Sequence, residues 1–274
     1  MTHSALARIL LLAAALLAAS NLTGCGRSKD VQQDDELAAA QKLQSDARSA
    51  LRSARWLDAQ RYYQRLVTRY PFGDHAENAL LEMAYAQFRA NDHDRAIATS
   101  DRFIRTYPLS ENLAYAYYLK GVVRARQGYS ATGRFFGFDP ANNDQTHIRQ
   151  AFRDFREVVD RFPESDYAAD ARLRMVHLRN ILARHEVAVA KYYLDRDAWV
   201  AASRRARQVM EEYPRTPSIA DALAIQVISY EALGQQQLAD KNRQVLNSNF
   251  PDYDLQEMRT PAHSGGFLAR IWPF

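Results

Sequence analysis

Residues 59–71 read Ala59-Gln-Arg-Tyr-Tyr-Gln-Arg-Leu66-Val-Thr-Arg-Tyr70-Pro71, and their framework returns four more times along the 274-residue chain. Each copy has an alanine twelve residues before a proline, an apolar residue five before it and an aromatic residue directly before it. The prolines are Pro71, Pro108, Pro163, Pro214 and Pro251. Internal repeats of this kind are typical of solenoids, which usually bind other proteins along an extended surface.

Each segment from alanine to proline predicts one helix of a helix pair. In the first copy, apolar and aromatic residues between Trp56 and Tyr70 recur at three- and four-residue steps, which gathers them on one helical face. Proline disfavours helical geometry in the residue before it, so the helix is expected to end at the aromatic residue. The small alanine is expected where the two helices of a pair cross closely.

A partner helix is predicted directly upstream of each alanine-to-proline helix. In the second copy it covers residues 76–90, and the polar turn Asn91-Asp-His-Asp94 offers N-caps. Successive prolines are 37, 55, 51 and 37 residues apart, and the shorter spacing is close to the tetratricopeptide period of ~34 residues. The sequence therefore predicts an all-α fold, an α-solenoid of five tetratricopeptide-like helix pairs over residues 37–251.

The two longer spacings predict two insertions. In the third copy, the 18 residues from Gly128 to Gln145 are rich in glycine and asparagine and predict a loop between the paired helices. The fourth copy exceeds 37 residues by 14, without glycine or proline between Pro163 and Pro214. At ~3.6 residues per turn this is about four extra turns. We therefore expect a long helix from near Ser165 to near Tyr193.

The amino terminus predicts export. An apolar run from Ile9 to Ala19 follows a short basic region and suits a secretory signal over residues 1–24 better than a membrane span or a buried helix. Cys25, the chain's single cysteine, follows Leu22-Thr-Gly in a pattern that resembles a bacterial lipobox, and it is the candidate lipidation site. Residues 25–36 are expected to form a flexible leash and residues 252–274 a disordered tail.

Charge and motifs do not favour a nucleic-acid-binding protein or an enzyme. The net charge is +4 with interspersed signs, as on solvated helical faces. Gly128 and Gly133 have phosphate-loop spacing, but Arg134 and Phe135 stand where lysine and serine or threonine are required. His185-Glu186 begins a zinc-protease motif that Val189 interrupts. We therefore predict no catalytic residue, metal or cofactor.

Six segments, which follow one another in the family's order along the chain, carry a family resemblance. They are Arg69-Tyr-Pro-Phe-Gly73, Asp101-Arg-Phe-Ile-Arg105, Phe135-Phe-Gly-Phe-Asp139, Ala151-Phe-Arg-Asp-Phe155, Ala190-Lys-Tyr-Tyr193 and Ala198-Trp-Val-Ala201. With the lipobox and both insertions, the chain resembles the BamD family, lipoprotein subunits of the β-barrel assembly machinery of Gram-negative outer membranes. The resemblance implies a lipid-anchored, non-enzymatic scaffold at the periplasmic face of the outer membrane, which helps β-barrel proteins to assemble and insert. A different tetratricopeptide scaffold, for example one coordinating peptidoglycan synthesis, is the alternative.

The resemblance also implies partners and contact residues. The carboxyl-terminal repeats of the family dock the periplasmic domains of the barrel-forming subunit, which assigns the main contact to Arg205, with Arg204 and Arg207 nearby. Taken alone, this densest basic cluster reads either as solvated surface or as a docking site for an acidic partner.

The amino-terminal repeats of the family are associated with unfolded outer-membrane proteins. Tyr62, Phe72 and Tyr85 are the candidates for that contact, whereas Tyr63 and Tyr70 are assigned to core packing. The loop residues Phe135, Phe136 and Phe138 are expected either to fold back onto the repeats or to contact another lipoprotein of the complex.

Overall fold

The computed structural model describes residues 27–129, 141 and 144–259. Helices are the regular elements of this described part, which contains no strand. Outside it lie the predicted signal peptide and four candidate contact or lipidation residues: Cys25, Phe135, Phe136 and Phe138.

Five helix pairs follow one another along the described chain. They are α1 (Arg27–Arg52) with α2 (Trp56–Arg69), α3 (Asp74–Arg89) with α4 (His93–Thr106), α5 (Leu113–Gly128) with α6 (Thr146–Arg161), α7 (Ala168–Leu194) with α8 (Trp199–Glu212), and α9 (Ile219–Ala232) with α10 (Gln236–Asn249). A short helix, α11 (Leu255–Arg259), comes after the last pair. The predicted fold class, all-α with five tetratricopeptide-like pairs, is confirmed.

The repeated alanine and apolar positions form the core of the pairs. The five alanines are 0% exposed: Ala59, Ala96, Ala151, Ala202 and Ala239. The five apolar residues seven positions later are 0 or 1% exposed: Leu66, Phe103, Val158, Val209 and Leu246. A methyl group at the first position lets neighbouring backbones approach, while the larger side chain at the second fills the space between helices.

The second helix of every pair ends as the aromatic-proline rule predicts. The N–H of the aromatic residue donates the last helical hydrogen bond to the apolar residue four positions earlier, with N···O distances of 2.7–3.0 Å in all five copies. In the first copy, for example, Tyr70 donates to the carbonyl oxygen of Leu66. The proline that follows has no N–H to offer and stops the helix there.

Four pairs share one turn between their helices. Each turn has a single residue with positive φ, namely Ala54 (55°), Asn91 (60°), Asp197 (56°) and Gly234 (70°). The next N–H returns to a carbonyl five residues back, as from Arg55 to Ala50 at 2.9 Å, which is the Schellman closure of a helix end. In the second pair the turn is shorter than predicted, because His93 and Asp94 already belong to α4.

Both predicted insertions lie where the proline spacing puts them. α5 ends at Gly128 and α6 begins at Thr146, so the helices of the third pair are separated at the predicted place, one residue later than predicted at its start. α7 spans 27 residues, from Ala168 to Leu194, whereas α9 spans 14. The prediction of a lengthened helix in the fourth pair is confirmed.

Two terminal predictions are wrong in part. The leash expected over residues 25–36 is helical from Arg27, because α1 runs without a break into the buried residues Ala40 and Ala47. The tail expected to be disordered from residue 252 contains α11, where Met258 is 8% exposed. Tyr253 Oη donates to Asp221 Oδ1 at 2.7 Å, and Arg259 pairs with Glu231, so polar bonds also hold this segment to α9.

The chain forms two compact units, Met1–Thr99 and Ser100–Phe274. In the first, α2 packs against both α1 and α3. In the second, consecutive helices from α5 to α10 pack in sequence, and α11 packs against α9. The second unit contains the candidate partner-binding arginines.

Candidate partner-binding site

Three helices of the second unit bring Arg205 to a buried carboxylate. Arg205 of α8 donates from Nη1 to Glu186 Oε2 of α7 at 2.9 Å. Arg149 of α6 donates from Nη2 to the other oxygen, Glu186 Oε1, at 3.0 Å. The Glu186 side chain is 2% exposed, whereas those of Arg149 and Arg205 are 43% and 40% exposed. One buried acceptor therefore holds two half-exposed guanidinium groups.

The remaining bonds of the two arginines leave donors open. Arg149 Nη1 donates to Tyr213 Oη at 3.1 Å, and Arg205 Nη1 also reaches Gln208 Oε1 at 3.4 Å. Burial raises the pKa of Tyr213, so its hydroxyl remains a neutral acceptor. A guanidinium has five N–H donors; within the described residues, Nε and Nη2 of Arg205 donate to no acceptor.

The start of α6 places Arg149. Asp144 accepts hydrogen bonds from the backbone N–H and the hydroxyl of Thr146 at 3.0 and 2.8 Å, which lowers the pKa of this carboxyl group and gives the first N–H of α6 an acceptor. Ala141 is 2% exposed, and its carbonyl oxygen accepts from His185 Nδ1 at 2.6 Å. The end of the inserted segment is thus attached to α7 one residue from Glu186.

Arg204 and Arg207 lie on a different side of α8 from Arg205. Arg204 lines a groove of about 500 Å³ with Trp199 and Leu233. Arg207 Nη2 donates to Tyr230 Oη of α9 at 3.1 Å. Adjacent residues of an α-helix point about 100° apart, so the three arginines do not form the single patch that their sequence suggested.

Glu186 departs from the repeat. In three other pairs the residue eleven positions before the positive-φ residue of the turn is a leucine: Leu43, Leu80 and Leu223. In the fourth pair the residue at this position is Glu186. In the third pair, whose helices are separated by residues 129–145, Leu119 lies nine residues before the end of α5, as the other three leucines do in their helices. Sequence reasoning missed Glu186, although this departure would have found it. Arg149 gives no such signal, because its pairing is tertiary.

The amino-terminal aromatic candidates have different surroundings. Phe72 is 87% exposed, and Tyr62 is half-buried. Tyr85 is half-buried with its ring edge-on to Trp56 at 6.3 Å, and its hydroxyl accepts from Arg89 at 2.6 Å. The first unit thus leaves Phe72 the most accessible of the three.

The two tyrosines that were predicted to pack in the core differ in their exposure. Tyr63 is 0% exposed, so the prediction that it packs in the core is confirmed. Tyr70 is half-buried at the end of α2.

The first unit also has a groove that sequence reasoning missed. Its volume is about 630 Å³, and it is lined by Leu57, Gln60, Arg61, Gln64, Arg65, Met83, Gln87 and Arg95. Tyr62, Phe72 and Tyr85 are not in this lining. The three- and four-residue steps from Leu57 through Gln60 and Arg61 to Gln64 and Arg65 put these α2 residues on one face, a signal that the sequence contained.

Over residues 27–129, 141 and 144–259, histidine and carboxylate side chains form no group of three or more that could hold a metal ion. None of the helices in that part of the chain combines the length and apolar character needed to span a bilayer.

Comparison with known proteins places this architecture among envelope lipoproteins. Residues 37–246 match the family model YfiO, described as outer membrane lipoprotein. The outer membrane protein assembly factor BamD of Xylella fastidiosa is 40% identical over 232 residues, covering 85% of this chain and 79% of the relative. The BamD proteins of Neisseria meningitidis and Vibrio cholerae are 36% and 35% identical, covering 84% and 85% of this chain and 87% and 96% of their own lengths.

Among solved structures, the alignment is more distant. A tetratricopeptide repeat protein from Parabacteroides merdae covers 80% of this chain and 70% of its own, with a TM-score of 0.36 and 11% identity. A likeness at that level carries no argument.

Proposed function

The chain belongs to the YfiO family of outer membrane lipoproteins, and from this premise we propose that it is an outer membrane protein assembly factor that works as a binding scaffold. The observation that carries the proposal is the similarity to proteins of that name in three genera, at 35–40% identity over 84–85% of this chain. The family match covers all five helix pairs except the ends of the first and last, residues 27–36 and 247–249.

Arg205 is the proposed contact for the periplasmic domains of the barrel-forming subunit. Its guanidinium is 40% exposed, held in place by Glu186, and keeps unused donors. This geometry suits a carboxylate on the partner, which a guanidinium can bind through two parallel hydrogen bonds. Arg204 and Arg207 belong to a second side of α8 and are proposed to support docking from there.

Three further contacts complete the proposal. The amino-terminal unit receives unfolded outer-membrane proteins, through Phe72 and the groove lined by α2, because extended chains need both apolar and hydrogen-bonding surface. Tyr62 and Tyr85 are proposed to add to that contact. Phe135, Phe136 and Phe138 contact another lipoprotein of the complex or the chain's own repeats. Lipidated Cys25 anchors the chain at the periplasmic face of the outer membrane.

The Arg205→Glu variant tests the docking site. Reversing this charge is expected to reduce recovery of the barrel-forming subunit, when the chain is purified from membranes, by about tenfold or more, because a partner carboxylate would then face a carboxylate. Arg161→Glu is the matched control: Arg161 is 48% exposed and lies at the far end of α6. Undiminished recovery with Arg205→Glu would remove the site assignment.

A further inference from the structure

A glutamate at position 186 has a desolvation cost that the leucines at the equivalent positions of the other pairs do not have. The corresponding leucines of the second, third and fifth pairs are 1–4% exposed, so this position belongs to the packed interior. A buried carboxylate loses its hydration, and pairing with arginine often does no more than offset that loss. Well-packed apolar residues in place of a buried ion pair are often neutral or stabilising. The packing of the pairs therefore does not require a glutamate here.

What Glu186 does is fix two arginines from neighbouring helices. Each carboxylate oxygen accepts from one guanidinium, at 3.0 Å from Arg149 and 2.9 Å from Arg205. Both guanidinium groups are therefore held at one carboxylate, and both side chains are more than one third exposed. Without the shared acceptor, the two like charges would repel each other and their flexible side chains would separate.

Arg149, Arg205 and Glu186 together carry a net positive charge. Two guanidinium groups share one carboxylate, and the other groups that accept from them, Tyr213 and Gln208, are neutral. Glu212 lies beyond them, where its carboxylate accepts from Gln208 at 3.1 Å. The planar donor edge of an arginine matches a carboxylate in two parallel hydrogen bonds. An acidic side chain on a protein partner is the occupant that supplies both the opposite charge and this planar acceptor.

We propose that Glu186 is a positioning residue and Arg149 a second contact in a two-arginine receptor for an acidic side chain of the partner protein. The proposal rests on the proposed function, because it extends the contact assigned there to Arg205. It adds that α6, whose start is fixed by the end of the inserted loop, contributes to the same docking surface as α8.

Glu186→Leu separates a positioning role from a structural one. Restoring the leucine of the other pairs is expected to leave the melting temperature unchanged or higher. The same variant is expected to weaken binding to the purified periplasmic domains of the barrel-forming subunit by about tenfold, because both arginines lose their common acceptor. Glu186→Gln keeps the side-chain size and removes the charge, and it should also weaken binding.

Arg149→Ala tests the second contact directly. We expect its dissociation constant for the same periplasmic domains to rise about tenfold, with a smaller salt dependence between about 50 and 300 mM than the unchanged chain shows. Arg161→Ala, on the same helix and 48% exposed, is expected to bind like the unchanged chain. Adding Glu186→Leu to a variant that carries both Arg149→Ala and Arg205→Ala should cause little further loss, because Glu186 then has no contact residue left to position.

The outcomes distinguish this proposal from the one on which it rests. If Arg205→Glu weakens binding while Glu186→Leu, Glu186→Gln and Arg149→Ala bind normally, the two-arginine receptor is wrong and the Arg205 contact stands. A lower melting temperature for Glu186→Leu would also contradict the positioning role, since it would show that the ion pairs hold the fold. If the unchanged chain does not bind the periplasmic domains, the proposed function itself has failed.

Discussion

The turn residue Ala54 shows how single positions adapt to a repeated backbone. Four turns require one residue with positive φ, and they contain alanine, asparagine, aspartate and glycine at that place. Glycine adopts this conformation without strain, and asparagine and aspartate tolerate it better than alanine does. Ala54, with φ of 55°, therefore stores strain that Gly234, with φ of 70°, does not.

Ala54→Gly is expected to stabilise the protein. Relief of the left-handed strain outweighs the extra freedom of glycine in the unfolded chain, for a net gain of about 0.5–1 kcal/mol. Gly234→Ala, the reverse exchange in an equivalent turn, should cost about as much. Chemical unfolding of both variants measures the two changes, and a loss of stability in Ala54→Gly would contradict the account of the turns.

Among the elements, the short helix α11 packs against α9, and polar bonds from residues on it and just before it reach the same helix. Met258 is 8% exposed, the Tyr253 hydroxyl donates to Asp221, and Arg259 pairs with Glu231. A chain that ends at Phe250 should therefore be less stable than one that ends at Arg259, by about 1–3 kcal/mol. Both truncated chains lack residues 260–274, so thermal unfolding reports only the contribution of residues 251–259. Equal melting temperatures would show that α11 contributes no stability.

The helices follow from the sequence where the signal is local. The aromatic-proline pairs gave the ends of α2, α4, α6, α8 and α10, and their spacing located the loop after Gly128 and the length of α7. These features depend on backbone stereochemistry and on periodicity within one segment. Residues 252–259 are ordered because they contact α9. The five residues of α11 are too few to show a periodic pattern that would predict this.

At the candidate site, too, the local features could be predicted from the sequence, whereas the contacts between helices could not. The family resemblance assigned the main contact to Arg205, and the sequence grouped this residue with Arg204 and Arg207, which lie on another side of α8. Its two close neighbours, Arg149 and Glu186, are 56 and 19 residues away along the chain, and they meet Arg205 only through the packing of three helices. Only the departure of Glu186 from the repeated leucine could have been noticed in advance.

For the whole molecule, the proposed lipid anchor at Cys25 would fix its place in the cell. Two or more lipid chains hold a protein stably at a membrane, whereas an unlipidated chain has no such attachment. Cys25→Ala is therefore expected to move most of the protein from the membrane fraction to the soluble periplasmic fraction. Immunoblots of the separated fractions measure the shift, and continued membrane retention of the variant would contradict lipid anchoring at this residue.

Assembly of outer-membrane barrels is the property that the account explains at this scale. The helix pairs are proposed to supply the binding surfaces, and the two-arginine cluster the contact for an acidic partner. If the chain serves barrel assembly, its loss must affect many barrel proteins together, because they share one assembly route. A scaffold for peptidoglycan synthesis would instead alter the cell wall while leaving the barrels in place.

The most direct measurement is the abundance of folded β-barrel proteins in outer membranes after depletion of this chain. The account predicts that many different barrels fall together, and that expression of the unchanged chain restores them. Barrel levels that stay unchanged in fully depleted cells would contradict the proposal that this protein is an outer membrane protein assembly factor.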